Sequence, residues 1–174
     1  NIFAAPKTWP ELVETASKLT TVGKPGSFTR SGVSLGISGN ISRAVDILTL
    51  LMLQNGTKFY SDDFRSVNFD QQLPGIEKFN PGVTALEFFT QFANPGKTTY
   101  TWNSRSDFNI DAFTQGKLAI MFGYSYLRPA IRDKAPNLNW EVAAIPQTSK
   151  DASPKVNYAN YWGLAASVKS KNSP

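Results

Sequence analysis

The residues that could carry acid–base, nucleophilic or metal chemistry in this 174-residue chain belong to a few types only. The sequence contains no histidine and no cysteine, which excludes disulfides, Cys/His metal sites, thiolate nucleophiles and histidine-based acid–base catalysis. Hydrolysis of a glycosidic bond needs two carboxyl groups held across that bond. Most of the 13 acidic residues fall in predicted loops or on outer helix faces, and none pairs with another at the end of a predicted strand.

The sequence also gives little support for a cation site, a phosphate loop or a nucleophile elbow. Asp62 and Asp63 could coordinate a hard cation, but adjacent carboxylates in a loop are usually only solvated. The sequence has no glycine-rich phosphate loop and no nucleophile elbow. We therefore predict no catalytic residue, no metal site and no cofactor. A carbohydrate-active, glycosidase-like enzyme domain remains an alternative function.

Charge and hydropathy exclude two classes of partner. The net charge of +5 comes from 18 scattered lysines and arginines, whereas nucleic-acid binding needs a basic stripe on one element, so we predict no nucleic-acid partner. No apolar run approaches the roughly 20 residues of a membrane span. The chain begins at Asn1 and ends at Pro174 inside a predicted strand. We therefore expect a piece of a longer chain, with any export signal and anchor outside it.

The spacing of apolar and turn-forming residues predicts alternating helices and strands. Thr8 and Glu11 form a capping box at the start of the first helix. Asn40 is the predicted N-cap of the second helix, which stops at Asn55 and the glycine after it. The predicted helices are 9–19, 41–54, 81–93, 107–113 and 125–134, and the predicted strands are 32–37, 118–122, 140–145 and 161–168. This order predicts one α/β domain over residues 1–174, with a mixed, mainly parallel sheet and helices on both faces.

Four segments resemble motifs of a known family and occur in the family's order. They are PKTWPEL with the following A-x-K-L (6–19), FTQGKLAIM (113–121), WEVAAIP (140–146) and YWGLAAS (161–167). The chain is thereby identified as similar to the extracellular solute-binding proteins of sugar-type ABC importers, the maltose-binding-protein-like group. The matching segments span almost the whole sequence.

The resemblance implies a periplasmic-binding-protein type II-like lobe, corresponding mainly to the C-terminal lobe, with residues 157–174 as the crossover strand region. It implies a two-lobed parent protein that closes on a carbohydrate or other small polar solute and delivers it to a membrane permease. The implied location is extracytoplasmic, as a periplasmic protein or a cell-surface lipoprotein. A scaffold or interaction domain without ligand binding is a further alternative, because a single lobe supplies only half of a cleft.

Sugars require flat aromatic faces and planar polar groups, which selects the candidate ligand-binding residues. Tyr124 and Tyr126 directly follow the buried strand 118–122, and the resemblance places a sugar-stacking aromatic at Tyr126. The alternative is that both tyrosines pack under the next helix. Tyr161 and Trp162 stand at the start of the predicted strand 161–168, where alternation points one of them inward.

A loop that enters the second helix supplies the remaining polar candidates. Arg43 could offer a forked donor to a hydroxyl or an anion, and Asn40 lies at the same predicted helix start. Capping alone would explain Asn40, and a surface ion pair would explain Arg43. Trp102 is a lone loop aromatic that could form the lip of a cleft or pack in the core.

Overall fold

A small mixed sheet with helices packed on it forms the centre of the fold. The computed structural model describes residues 4–24, 26–73, 75–76, 78–161 and 163–171. The helices are α1 (Trp9–Leu19), α2 (Ala44–Gln54), α3 (Pro81–Thr90), α4 (Asn109–Thr114) and α5 (Leu127–Lys134), and a 3₁₀ turn (Gln91–Ala93) follows α3. The strands are β1 (Thr21–Val22), β2 (Phe28–Val33) and β3 (Leu118–Ile120). The mixed α/β architecture predicted from the sequence is therefore confirmed.

The sheet has the order β1-β2-β3, with β2 antiparallel to β1 and parallel to β3. In the parallel pair, Ser31 lies opposite Leu118 and Val33 lies opposite Ile120. The chain connects β2 to β3 through α2, α3 and α4, which is the kind of long crossover that a parallel pair requires. The carboxyl ends of β2 and β3 consequently meet at one edge of the sheet.

Helix α1 packs against β2 at a position where only glycine fits. A Cβ atom on Gly32 would lie 1.9 Å from the carbonyl oxygen of Ala16, so the missing side chain lets the helix backbone approach the strand. Side chains alternate along a strand, so Ser31 and Val33 point to the opposite face from Gly32. Both of these residues are also buried, which means that both faces of β2 are covered.

Side chains cap two helix starts, one of which, at Thr8, is predicted from the sequence. The Thr8 hydroxyl accepts a hydrogen bond from the Glu11 amide at 3.3 Å, and the Asn80 side chain accepts one from the Val83 amide at 3.0 Å. The Glu11 carboxylate accepts a hydrogen bond from the Lys7 amide at 2.8 Å. Lys150 and the amides of Lys7 and Thr8 lower the pKa of this carboxyl group. The first turn of α1 is therefore tied to the residues before it.

The predicted cap of α2 is wrong. The helix begins at Ala44, three residues later than predicted, and Arg43 before it has a left-handed backbone with φ of 59°. The Asn40 side chain donates to the carbonyl oxygens of Asn103 and Ser106, at 3.0 and 2.9 Å. Because these bonds join Asn40 to a distant loop, its side chain does not cap the helix.

One predicted strand lies at a different position, and two others are not formed in the described residues. The strand predicted at 32–37 is β2, which ends at Val33. In the described part of the chain, residues 140–145, 161 and 163–168 form no strand, and most of them are exposed. The backbone N–H and C=O groups of a strand must pair with a neighbouring strand. The apolar pattern of a segment does not show whether such a neighbour is present. The sheet is consequently smaller than predicted, and the crossover region 157–174 is not a strand in its described residues.

One contiguous hydrophobic cluster joins the helices to the sheet. Its largest fully buried side chains include Trp102, Phe92, Leu12 and Leu35. Residues of α1, α2, α3 and β3 and of the segment after β3, including Phe122, also contribute to it. No helix in the described residues is long and apolar enough to cross a bilayer.

A candidate ligand-binding site at the carboxyl ends of two parallel strands

The first turn of α2 and the segment after β3 lie side by side at one edge of the sheet. The chain reaches Arg43 and Asp46 ten or more residues after β2, and it reaches Tyr124 and Tyr126 a few residues after β3. Because β2 and β3 are parallel, the chain leaves both strands at the same edge, which is where open α/β sheets bind ligands. We refer to Arg43, Asp46, Tyr124 and Tyr126 as the edge cluster.

The polar groups of the edge cluster are bonded to one another. The Tyr124 hydroxyl donates to Asp46 Oδ2 at 2.8 Å. Arg43 Nη1 lies 3.9 Å from the same carboxylate oxygen, and the Arg43 guanidinium carbon lies 5.9 Å from the centre of the Tyr124 ring. These contacts place the guanidinium beside the carboxylate and the tyrosine, and the hydrogen bond joins the tyrosine to the carboxylate.

The rings of Tyr124 and Tyr126 form a stacked pair. Their centroids are 5.9 Å apart and their planes are inclined by 18°. A sugar ring between two aromatic faces needs a carbon–carbon contact of about 3.5–4 Å on each side, roughly 7 Å in all. The gap is therefore too narrow for an inserted ligand. Tyr126 is 58% exposed, so a ligand would contact the outer surface of this aromatic wall.

The ionisation of the edge cluster follows from these contacts. Burial and the hydrogen bond to Asp46 raise the pKa of Tyr124 to about 12, so its hydroxyl keeps its proton at neutral pH. The interaction with the Tyr126 side chain raises the pKa of Arg43, which is ionised in any case. The edge cluster therefore presents an aromatic wall beside a positive and a negative charge.

Asn40 and Trp102 are bonded to each other next to the edge cluster. Trp102 is 1% exposed, and its Nε1 donates to Asn40 Oδ1 at 2.8 Å. The buried ring has no open face on which a sugar could stack in this structure. Together with the bonds from Asn40 to the 103–106 loop, this pair fixes the turn that precedes Arg43.

Of the C-terminal aromatic candidates Tyr161 and Trp162, the structure describes Tyr161 alone. Tyr161 is 85% exposed and makes no stacking contact with a described aromatic ring. Trp162 lies outside the described residues. Tyr158, three positions before Tyr161, packs against the core cluster. The structure thus brings together Tyr124, Tyr126 and Arg43.

Sequence reasoning missed Asp46, which it counted among the scattered acids. The signal that could have found it is topological. Asp46 lies in the first turn of the helix after one parallel strand, and Tyr124 follows the other, so both belong to the same sheet edge.

Two grooves lie elsewhere on the described surface. One, of about 770 Å³, lies between α5 and the following segment and is lined by Arg128, Arg132 and Trp140 among others. The second, of about 890 Å³, runs along the outer side of α1. Neither groove includes a residue of the edge cluster. Within the described residues, no group of three or more His, Cys, Asp or Glu side chains comes together as metal ligands.

Comparison with known proteins supplies the family and the fold. Residues 1–174 match the family model described as bacterial extracellular solute-binding protein. No curated protein matches the chain. The resemblance inferred from the four sequence motifs is confirmed by the family match.

Two solved structures have the same fold over part of their length. An ABC transporter solute-binding protein from Thermotoga lettingae TMO, bound with alpha-D-tagatose, is 23% identical, with a TM-score of 0.54 over 77% of this chain. The maltose/maltodextrin-binding domain of Bdellovibrio bacteriovorus, bound to maltotriose, is 15% identical, with a TM-score of 0.63 over 90% of this chain. The matches cover only 31% and 36% of those proteins. The predicted periplasmic-binding-protein type II-like fold class is confirmed.

Proposed function

The chain belongs to the bacterial extracellular solute-binding protein family, and we propose that it is one lobe of the solute-binding component of an ABC importer. In this proposal residues 1–174 form the lobe, and the ligand is a carbohydrate or a similar small polar solute. The ligand binds between this lobe and a second one in the parent protein. Neighbours of the same fold bind alpha-D-tagatose and maltotriose, which supports a sugar as the ligand.

The observation that carries the proposal is the aromatic wall of Tyr124 and Tyr126 beside Arg43. A pyranose ring presents C–H groups on its faces and hydroxyls around its rim. The exposed face of Tyr126 suits the former, and the neighbouring charged groups suit the latter. These groups lie at the sheet edge where ligands bind in open α/β folds.

The parent protein delivers the solute unchanged to a membrane permease and works outside the cytoplasm, as a periplasmic protein or a cell-surface lipoprotein. The family to which the chain belongs is extracellular, which supports this location. A glycosidase would need two carboxyl groups across the scissile bond. In the described residues the contacts of the edge cluster include one carboxylate, that of Asp46, which favours binding over hydrolysis.

The proposal is tested by a thermal-shift screen of the full-length parent protein with D-tagatose, maltotriose and other mono- and oligosaccharides. A sugar that binds only the folded protein raises the melting temperature by mass action. Chromatography of the recovered sugar then shows whether it is unaltered. A hydrolysed sugar would support the glycosidase alternative, and no shift with any sugar would support the scaffold alternative.

The Tyr126→Ala variant tests whether a sugar that raises the melting temperature binds at the edge cluster. The expected result is loss of the shift, because the variant removes the exposed stacking face. Tyr60→Ala is the matched control, since Tyr60 is equally exposed, at 56%, and lies on the 57–69 loop outside the edge cluster. A shift that survives in Tyr126→Ala, or is lost equally in Tyr60→Ala, would contradict the site assignment.

A further inference from the structure

We infer that the groove between α5 and the segment after it docks an acidic, extended segment of the membrane permease, with Arg128 and Arg132 as the anchoring residues. The groove has a volume of about 770 Å³, and no residue of the edge cluster lines it. This inference rests on the proposed function, because it takes the permease of that importer as the partner. It concerns a surface other than the ligand-binding site.

Two arginines on one face of α5 are available to a partner. Arg128 and Arg132 lie four residues apart in the helix, are exposed and line the groove. In the described residues neither guanidinium has a hydrogen bond or an ion pair, whereas Lys134 at the end of the same helix is paired with Asp111. Glu141 also lines the groove but forms no ion pair with either arginine. The groove therefore carries an excess of positive charge.

The other wall of the groove is a stretch of backbone that is open to a partner strand. Among the described residues, the backbone groups of 139–144 form no hydrogen bond with another protein group, and 141–144 are exposed. Trp140 is partly buried, with its ring in edge contact with Phe113, and Val142 is 67% exposed. Exposed, unpaired backbone is the template to which an extended peptide adds as a β-strand.

The spacing of the two arginines determines which peptide fits. Residues four apart on a helix have Cβ atoms about 5–6 Å apart. Along a strand, side chains on one face recur at every second residue, or roughly every 6.6 Å. A segment with carboxylates at positions i and i+2 therefore places one carboxylate opposite each guanidinium. Each pair can form the bidentate, charge-assisted hydrogen bonds that arginine favours.

The position of the groove supports the permease as the partner. Helix α5 begins at Leu127, directly after Tyr126 of the edge cluster. A membrane protein that receives the solute must dock close to the ligand-binding site, and the groove is lined by the helix that follows this site. Docking there also leaves the aromatic wall free, because the residues of the edge cluster do not line the groove.

The first test is fluorescence anisotropy of a labelled TEVEVT peptide titrated with the full-length parent protein. We expect saturable binding, and binding of the uncharged TQVQVT peptide that is at least about tenfold weaker. Arg128→Gln and Arg132→Gln should each weaken TEVEVT binding by about tenfold, because each variant removes one charge-assisted contact. Arg65→Gln is the matched control and should bind as wild type does, since Arg65 is an arginine with an 88% exposed side chain outside the groove.

The second test identifies the partner by uptake of labelled sugar into cells whose gene for the parent protein carries the variants. The double variant Arg128→Gln/Arg132→Gln should lower uptake by about tenfold or more, because two docking contacts are lost. The purified double variant should keep the wild-type thermal shift with the sugar. Arg65→Gln should leave uptake unchanged.

The outcomes separate the docking groove from the proposed function. No binding of TEVEVT, or equal binding of both peptides, would overturn the groove as a docking site. Normal uptake in the double variant would overturn the permease as the partner, and loss of its thermal shift would show that the arginines serve the ligand site instead. If the wild-type protein binds no sugar in the screen, the proposed function is wrong and the permease assignment falls with it, whatever the peptides do.

Discussion

Replacing Asp46 with asparagine removes the charge opposite the Tyr124 hydroxyl and leaves the size of the side chain almost unchanged. In the native protein, burial and Asp46 together raise the pKa of Tyr124 to about 12, compared with an ordinary value of 10.0. Burial is the largest single cause, and it persists in the variant. We therefore expect the pKa of Tyr124 to fall in Asp46→Asn but to remain above 10.

The same contact determines how stability depends on pH. The folded-state pKa of Tyr124 lies above the unfolded value, so its contribution to stability is fully present below pH 10. That contribution is lost as the pH rises from 10 toward 12. The hydrogen bond to a charged acceptor is worth about 1.5–3 kcal/mol, and one to a neutral acceptor about 0.5–1.5 kcal/mol. Asp46→Asn should consequently lower the free energy of unfolding at pH 7 by about 1 kcal/mol.

Ultraviolet absorbance at tyrosinate wavelengths, recorded as the pH is raised, measures this pKa. The sequence has six tyrosines, and Tyr124→Phe identifies the transition that belongs to Tyr124. Circular dichroism at each pH confirms that the protein remains folded. Asp133→Asn, an exposed position on α5, is the matched control and should leave the transition unchanged. A late transition that is the same in wild type and Asp46→Asn would refute the hydrogen bond between Tyr124 and Asp46.

Two further predictions concern the framework that holds the site. Gly32→Ala should lower the free energy of unfolding by about 3 kcal/mol or more, because the new Cβ meets a carbonyl oxygen of α1 that no rotamer change can move. Chemical denaturation measures this loss, and Gly39→Ala is the control because a Cβ atom there meets nothing within 4 Å. An equal loss of unfolding free energy in both variants would contradict the packing of α1 on β2. Trp102→Phe should cost at least about 1–3 kcal/mol, because Asn40 Oδ1 loses its buried donor. Unchanged stability of Trp102→Phe in the same assay would show that this hydrogen bond is not formed.

Short-range signals in the sequence predicted structure well. The predicted cap at Thr8 depends on a residue three positions away and is formed, and Asn80 makes the same kind of bond at the start of α3. Asn40 has the same residue type as Asn80, yet it is bonded to Trp102, which lies 62 positions along the chain. A cap is therefore predictable when no distant partner competes for the side chain, and the sequence does not reveal such a partner.

The failed strands have a related cause. Residues 140–145 and 161–168 have apolar patterns that suit a strand, but a strand also requires an edge with which to pair. In the described residues neither segment has such an edge. An apolar pattern indicates which side chains are suited to burial, but it does not identify the strand with which the segment would pair.

The sequence identifies three of the four residues of the edge cluster, but not that they lie together. Residue type and position after a predicted strand select Tyr124, Tyr126 and Arg43 individually, and the family resemblance adds the sugar-stacking role of Tyr126. That they lie together follows from the parallel pairing of β2 with β3, which places both chain exits at one edge. Asp46 was missed because an acid in the first turn of a helix is common for dipole reasons alone.

Calorimetric titration of the full-length protein with a sugar found in the screen, performed on wild type, Tyr126→Ala and Tyr60→Ala, tests the central claim most directly. We predict saturable binding to the wild type and to Tyr60→Ala, no measurable binding to Tyr126→Ala, and recovery of the sugar unaltered. Equal binding by all three proteins would contradict the proposed site, and conversion of the sugar during the titration would contradict the proposed function.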